Sequence, residues 1–382
     1  VYFPIEEPKV KDRFKKLITN NKLTLVDDIK NSNLNFDIIW ITNDTPVNDN
    51  DIANTALVFK QINKTLTYVN NECLVVISSQ LPLGSIKKLE KKYQKSKNLS
   101  FAYIPENLRL GKSVDYFLNP DRIIIGVRKE IDFINILKII KTNKKKCIKT
   151  SVEGAELTKH AINAFLATSI TFVNELTKIS EKYKVNIDEV EKGLKSDFRI
   201  GPYSYLKAGP AFSGGTLARD LLYLKDLYGN DEISLFETIF KKNEDHKSWL
   251  IKQTTLLIQK FNIKKISVLG LTYKPGTNTI RRSMSVEFIK KFHKILEINC
   301  HDPSNPKLPN SLNIKYKKEI SKAILKSDLI IIGTNWPEYR VINEDFIMKF
   351  SPESIILDQY NFLEHLKKSR KVRYICIGYS NL

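Results

Sequence analysis

Cysteine is scarce in this chain of 382 residues: the four present, Cys73, Cys147, Cys300 and Cys376, lie far apart and form no Cys-x-x-Cys pair. That argues against a disulfide scaffold and a thiolate zinc site, and it fits a reducing cytoplasm. Histidine is nearly as rare, with five isolated residues, so no metal is expected. No apolar run reaches the ~18 residues of a membrane span, and no signal peptide is recognised, so no membrane partner is expected. Arginine is scarce too: 11 of the 62 basic residues, although the net charge is +20. The charge therefore sits on scattered lysines, unlike the arginine-and-aromatic lining of nucleic-acid grooves. No nucleic-acid partner is expected, but the field favours an anionic substrate. Finally, no Gly-x-Gly-x-x-Gly occurs anywhere. That loop lets backbone amides approach a pyrophosphate at a helix N-terminus.

What is present is alternation. Asp37–Thr42, Leu74–Ser78, Ser100–Tyr103 and Arg122–Val127 are short apolar runs. They read as buried parallel strands, with helical stretches at 51–69, 84–96 and 129–142 between them. Strands alternating with helices predict a doubly wound α/β sheet. From Glu153 to about Tyr183 there is no proline and one glycine. Thr150-Ser-Val-Glu153 has capping-box spacing. Ala155, Ile162, Phe165, Leu166, Ile170 and Val173 supply a core-facing stripe for one long helix. Further helices follow to about 248, with a linking helix over 231–260. Strand-like runs resume at Lys265–Gly270, Ile298–His301, Asp328–Gly333, Ser354–Asp358 and Arg373–Ile377, with helices near 284–296, 318–326 and 342–349. The expected order is an α/β domain over 1–149, a helical domain over 150–248 and a second α/β domain over 249–382.

Several segments carry chemistry-bearing residues. In Glu156-Leu-Thr-Lys159-His-Ala-Ile-Asn163, Lys159 and Asn163 are four apart on one helix face. A cation and an amide donor aimed at one point stabilise an oxyanion as it forms. Downstream come Arg199-Ile-Gly201, Tyr205-Leu-Lys207-Ala-Gly209 and Ser213-Gly-Gly-Thr216-Leu-Ala-Arg219-Asp220. The last domain holds Gly270-Leu-Thr-Tyr273-Lys274-Pro-Gly-Thr-Asn-Thr-Ile-Arg281. Together with Ile104-Pro-Glu106-Asn-Leu-Arg-Leu110 and Ser79-Gln80-Leu-Pro-Leu-Gly84, these segments resemble, in order, the motifs of the UDP-glucose/GDP-mannose dehydrogenase family, the nucleotide-sugar dehydrogenases. The match runs from Ile5 to Asn361.

The resemblance implies two Rossmann-like domains joined by a helical domain, with NAD as cofactor, a nucleotide-diphosphate sugar as substrate and a homodimer as the assembly. Tyr2-Phe-Pro-Ile-Glu-Glu-Pro8 resembles a stretch that follows the family's second strand. The first Rossmann-like domain is therefore expected to lack its first βαβ portion. Glu106, Lys159, Asn163 and Asp220 fall on the family's catalytic positions. Arg199, Tyr205, Lys207, Gly209, Ser213, Tyr273 and Lys274 fall on substrate positions, with Arg199 reaching across the dimer. Thr45, Gln80, Arg219 and Arg281 fall on the cofactor side. The match also has departures. Ser213 replaces a glycine, Leu110 a second glutamate, Gln80 a threonine and Tyr360 an arginine expected at the substrate.

The central departure is Thr216, which stands where the family has its nucleophilic cysteine. Family members oxidise a primary alcohol twice, holding the intermediate aldehyde on that cysteine. A thiol is readily tuned to a thiolate, whereas a threonine hydroxyl needs an adjacent base. The leading expectation is an NAD-dependent oxidoreductase that stops after one oxidation or uses water in place of the thiol. The alternatives are a conventional acid-forming dehydrogenase, and a non-catalytic nucleotide-sugar-binding paralogue or inactive gene fragment.

Overall fold

The computed structural model describes residues 9–29, 35–48, 52–69, 72–106, 108, 112–140, 143–212, 215–228, 234–281 and 283–382. The expectations attached to Tyr2–Pro8, Leu110 and Ser213 lie outside the described residues. The chain divides into two compact units, Val1–Ile162 and Asn163–Leu382.

The first unit contains α1 (Val10–Thr19), β1 (Ile38–Ile41), α2 (Thr55–Thr67), β2 (Cys73–Ile77), α3 (Ser85–Tyr93), β3 (Leu99–Tyr103), α4 (Ser113–Leu118), β4 (Ile123–Gly126), α5 (Glu130–Ile139) and β5 (Cys147–Thr150). Its sheet order is β1-β2-β3-β4-β5. The first three strands are parallel, β4 runs antiparallel to β3 through Tyr103 and Gly126, and β5 is parallel to β4. All five residues of β2 are buried. Val75 and Ile77 face one apolar cluster, with Val58, Ile62 and Ile86, while Leu74 and Val76 face another, with Ile125 and Ile136. A strand covered on both faces reads as an unbroken apolar run. Each fully buried side chain of this size contributes about 1.5–3 kcal/mol. β5 was not expected, because its sequence, Cys-Ile-Lys-Thr, has no apolar run and half of it is exposed.

Helix α6 (Val152–Tyr183) is the long helix expected from the sequence. Its start differs in detail: Ser151, not Thr150, caps it, accepting a hydrogen bond from the Gly154 amide at 3.0 Å. Glu153 does not close a capping box but pairs with Arg128. The expected core stripe also needs correction. Ala155 and Val173 are buried, but Phe165 is 69% exposed.

The second unit continues with α7 (Ile187–Ser196), α8 (Gly215–Asp226), α9 (Leu235–Lys247) and α10 (Trp249–Phe261). The single linking helix expected over 231–260 is in fact the pair α9 and α10. They meet at Ser248, whose hydroxyl donates back to the Asp245 carbonyl at 2.6 Å. That bond satisfies a carbonyl at the end of α9. α10 ends on Asn262 in the left-handed conformation, φ 49°, a residue type suited to that cap.

The remaining elements are β6 (Lys265–Leu269), α11 (Met284–Phe292), β7 (Glu297–His301), β8 (Lys315–Tyr316), α12 (Ile320–Ile324), β9 (Leu329–Ile332), α13 (Glu344–Phe350), β10 (Ile355–Asp358), β11 (Arg373–Cys376) and β12 (Tyr379–Ser380). The sheet order is β12-β11-β10-β9-β6-β7-β8. Apart from the antiparallel edge strand β12, this is a doubly wound sheet whose strand order reverses between β6 and β9. The turns after these two strands are packed too tightly for side chains. A Cβ on Gly270 would lie 2.5 Å from the Thr334 amide nitrogen, and one on Gly333 would lie 2.1 Å from Ser285 Oγ. Two apolar clusters, one per face, bury this sheet.

Candidate active site

In open α/β sheets ligands gather beyond the carboxyl ends of the strands. In the first unit those ends are tied together by side chains. Thr45, buried after β1, donates its hydroxyl to the Gln80 carbonyl at 2.7 Å. Ser79, after β2, donates to the Asn43 carbonyl at 2.7 Å. The start of α6 supports the same loop. Glu156 is fully buried and accepts from the Gly84 amide at 2.8 Å and the Ile86 amide at 3.0 Å, satisfying the N-terminus of α3. Burial pushes its carboxyl above the usual range, although these two amides oppose that shift. His160 Nε2 lies 3.0 Å from the Leu81 carbonyl. A carbonyl only accepts, so this nitrogen carries the proton. Neither Glu156 nor His160 was singled out from the sequence; both look like ordinary helix residues until the loop is packed on them.

Lys159 is buried and donates to the backbone carbonyl of Glu106 at 2.7 Å. The Glu106 side chain is exposed and accepts from the Leu108 amide at 3.1 Å. Lys159 and Glu106 are thus brought together, but through the main chain of Glu106 and not through its carboxylate.

In the second unit, Asn163 Nδ2 donates to Asp220 Oδ2, and both residues are buried. Asp220 stands one turn beyond Thr216 on α8, and Thr216 is exposed in the first turn of that helix. Arg219 is buried beside Asp220. Tyr223, one turn on, was missed from sequence; burial pushes its phenol up to about 12.

The segment before α8 is held from both sides. Gly209 donates its amide to Asn174 Oδ1 at 3.1 Å, and its carbonyl accepts from His246 Nε2 at 2.9 Å. Tyr205 and Lys207 point to solvent, and Ala208 donates its amide to Glu191. Arg199 is exposed and forms a two-point pair with Asp197, Nε to Oδ1 at 3.0 Å and Nη2 to Oδ2 at 2.7 Å.

In the turn after β6, the Lys274 ammonium lies 5.5 Å from the centre of the Tyr273 ring. Arg281 is exposed at the end of that turn. Asp302, buried after β7, accepts from the Leu271 amide at 2.7 Å and the Thr272 amide at 3.2 Å, so it is spent on holding the turn. Tyr360 is half-buried after β10, and burial pushes its phenol up to about 12.

Sequence comparison places these residues in a known frame. The profile of the UDP-glucose/GDP-mannose dehydrogenase family matches in three parts: its NAD binding domain over residues 2–144, its central domain over 153–245 and its UDP binding domain over 267–365. A UDP-glucose 6-dehydrogenase of Rickettsia felis is 34% identical over 389 residues, covering 98% of this chain and 86% of that protein. The chain belongs to the UDP-glucose/GDP-mannose dehydrogenase family. The family's Bacillus subtilis member TuaD, a UDP-glucose 6-dehydrogenase, is 28% identical, covering 97% of this chain and 82% of that protein. The fold is shared with a UDP-D-ManNAc dehydrogenase from Pyrococcus horikoshii, at a TM-score of 0.82 and 22% identity over 100% of this chain and 90% of that one. It is shared equally with a UDP-glucose dehydrogenase from Pyrobaculum islandicum, at a TM-score of 0.82 and 22% identity over 99% of this chain and 88% of that one.

NAD is the cofactor of this family, and the polar groups of the loops after β1 and β2 are of a kind that fits a polar ligand. The Thr45–Gln80 bond fixes two loops whose hydroxyl, amide and backbone groups both donate and accept. Among the described residues no group of three or more His, Cys, Asp or Glu side chains is arranged to hold a metal ion. No described helix is long and apolar enough to cross a membrane.

Proposed function

We propose that this protein is an NAD-dependent nucleotide-sugar dehydrogenase that oxidises the primary alcohol of a UDP-sugar, with UDP-glucose as the first candidate, and that the reaction halts at the aldehyde. The observation that carries this reading is the buried Asn163–Asp220 pair with an exposed Thr216 one turn away on α8. The polar machinery for the first oxidation is kept, while the thiol needed for the second is replaced.

The alcohol gives up its hydroxyl proton to water and a hydride from carbon. NAD would supply the acceptor for that hydride, and Thr45 and Gln80 would hold its nicotinamide end. Lys159 and Asn163, four residues apart along α6, stabilise the alkoxide as it forms. Glu106 handles water or a proton near the reacting carbon. Arg219 and Arg281 serve the cofactor. Tyr205, Lys207, Gly209 and Ser213 belong to the segment that meets the diphosphate, where the exposed lysine suits phosphate oxygens. Tyr273 stacks on the base and Lys274 reaches the sugar nucleotide.

The functional division is a cofactor domain over 1–149, a helical domain over 150–248 and a sugar-nucleotide domain over 249–382. The assembly is a homodimer formed through α6. Phe165, Phe172 and Ile179, at 69%, 48% and 57% exposure, are spaced seven apart and line one face of that helix. Arg199 reaches the partner's substrate. Four free cysteines, three of them buried, fit a reducing cytoplasm.

The test is incubation of the protein with UDP-glucose and NAD in the presence of a carbonyl-trapping reagent. The expected result is about one NADH per sugar and a trapped aldehyde. A uronic acid with two NADH per sugar would overturn the halt at aldehyde. Tight UDP-glucose binding with no NADH from any UDP- or GDP-sugar would favour a binding paralogue instead.

A further inference from the structure

Within residues 208–212, two residues have both their backbone amide and their carbonyl taken by buried side chains. Gly209 is held at its amide by Asn174 of α6 and at its carbonyl by His246 of α9, at 3.1 and 2.9 Å. Phe212 is held at both groups by a single residue. Asn243 Oδ1 accepts from its amide at 2.9 Å, and Asn243 Nδ2 donates to its carbonyl at 3.0 Å. The Asn243 amide thus stands in for one rung of a β-ladder. Asn243 and His246 are three apart on α9, so they lie on one face of that helix and grip the chain three residues apart.

Asn174, Asn243 and His246 are all buried. A buried amide or imidazole is retained against its desolvation cost only when its hydrogen bonds are made. Here each is spent on the main chain of one short loop. Burial pushes the His246 pKa below the usual value, although its bond to the Gly209 carbonyl opposes that shift, and a carbonyl only accepts, so Nε2 carries a proton. An apolar contact would have covered Gly209 and Phe212 as well, but it would not have fixed the direction of their peptide planes.

We propose that Asn243 and His246 are positioning residues for substrate. They hold the backbone of residues 209–212, whose Gly209 and Phe212 groups are spent inside the protein, and so set where the exposed Tyr205 and Lys207 of the same segment meet the diphosphate. This rests on the reading of residues 205–213 as the substrate loop. It adds a support on α9, within a run of charged residues, Lys241-Lys-Asn-Glu-Asp-His-Lys247, that resembles an ordinary solvated face.

The test is titration of UDP-glucose onto the protein and its variants, with amide exchange at residues 208–212 and steady-state kinetics. Asn243→Asp keeps the acceptor for the Phe212 amide and loses the donor to its carbonyl. His246→Gln keeps an N–H donor, whereas His246→Ala does not. Glu244→Ala, exposed on the same helix, is the control. Asn243→Asp and His246→Ala should each weaken UDP-glucose binding about tenfold, the order expected for one well-placed bond. KM should rise more than kcat falls, exchange at 209 and 212 should quicken, and His246→Gln should stay within about threefold of the parent protein. If exchange quickens but affinity does not change, the positioning role is overturned while the substrate-loop reading stands. If His246→Gln loses as much affinity as His246→Ala, the hydrogen bond is not the cause and the proposal fails. If the parent protein binds no UDP-glucose, the reading of the loop fails, and this proposal with it.

Discussion

Asn163 and Asp220, 57 residues apart in sequence, meet through a side-chain hydrogen bond in the interior of the second unit. The bond fixes one amide proton of Asn163 and one oxygen of Asp220, and so sets which way the remaining amide proton points. Removing either partner leaves a buried polar group without its mate, at about 1–3 kcal/mol. Asp220→Ala and Asn163→Ala should therefore each lower thermal stability and cut kcat by about a hundredfold, the scale of one lost oxyanion donor. The double variant should lose less than the sum of the two, because the residues share a bond. Additive losses in stability and in kcat would show that the pair is not coupled.

Arg128 ties the first unit together at its surface. Its guanidinium binds Glu90 through Nε and Nη2, each at 2.8 Å, and Glu153 through Nη1 and Nη2, each at 2.7 Å. The fork holds the Glu153 carboxyl down at about 2, from an ordinary value of 4.5. Since the folded value lies below the unfolded one, the stabilisation is complete above about pH 4.5 and is lost as pH falls towards 2. The groups are partly exposed, so solvent screening limits the contribution to about 1 kcal/mol. Arg128→Met should lower the melting temperature by a few degrees at pH 7. The gap should close as the pH approaches 2 in acid-dependent melts. A gap that persists unchanged would mean that Arg128 acts through packing alone.

The exposed stripe on α6 gives a test of assembly. Phe165, Phe172 and Ile179 leave a large apolar face in water within one chain, and interfaces are the usual cover for such a face. Phe172→Arg should convert the proposed dimer to a monomer in sedimentation at micromolar concentration. Its melting curve should stay cooperative, because Phe172 is not part of the core. Arg199→Ala should leave the dimer intact and weaken UDP-glucose binding, as expected if the arginine serves the partner's site. A parent protein that sediments as a monomer would remove the basis for both expectations.

The sequence made the α/β–helical–α/β order legible because buried strands such as Cys73–Ile77 are apolar on both faces and cannot be mistaken for solvated helix. The long helix was legible because nothing in it breaks a helix. What sequence reading lost depends on tertiary packing. Phe165 joined the core stripe because a helix with two apolar faces shows no difference between the face that packs inside and the one that does not. β5 was lost because an edge strand of four residues, Cys-Ile-Lys-Thr, with its two middle positions exposed, has no apolar signature. The paired motif residues, Lys159, Asn163 and Asp220, were found by family resemblance. The side chains that hold their loops, Glu156, His160, Asn174, Asn243 and His246, were given no role, although Glu156 and Asn174 lie within matched motifs. Their partners are main-chain groups, and a main-chain partner leaves no mark in sequence.

Thr216 is the position where the structure and the family pattern make a quantitative demand. It lies in the first turn of α8, exposed, with Asp220 one turn further on. The helix dipole at such a position favours negative charge and lowers the pKa of a thiol placed there. A threonine gains little from the same field, since its hydroxyl starts far too basic to ionise. Thr216→Cys should therefore install a thiolate without moving the backbone, because the two side chains are of similar size. The aldehyde from the first oxidation then adds to sulfur. The adduct loses a hydride to a second NAD and a proton to water, giving a thioester, and water cleaves this to the acid and the free thiol. NADH per sugar should rise from about one towards two, and trapped aldehyde should fall in step. Thr216→Ser lacks the thiol and should stay near one. If the unaltered protein already yields two NADH and a uronic acid, then water or the Thr216 hydroxyl is a competent nucleophile, and the lack of a thiol at position 216 does not limit this enzyme.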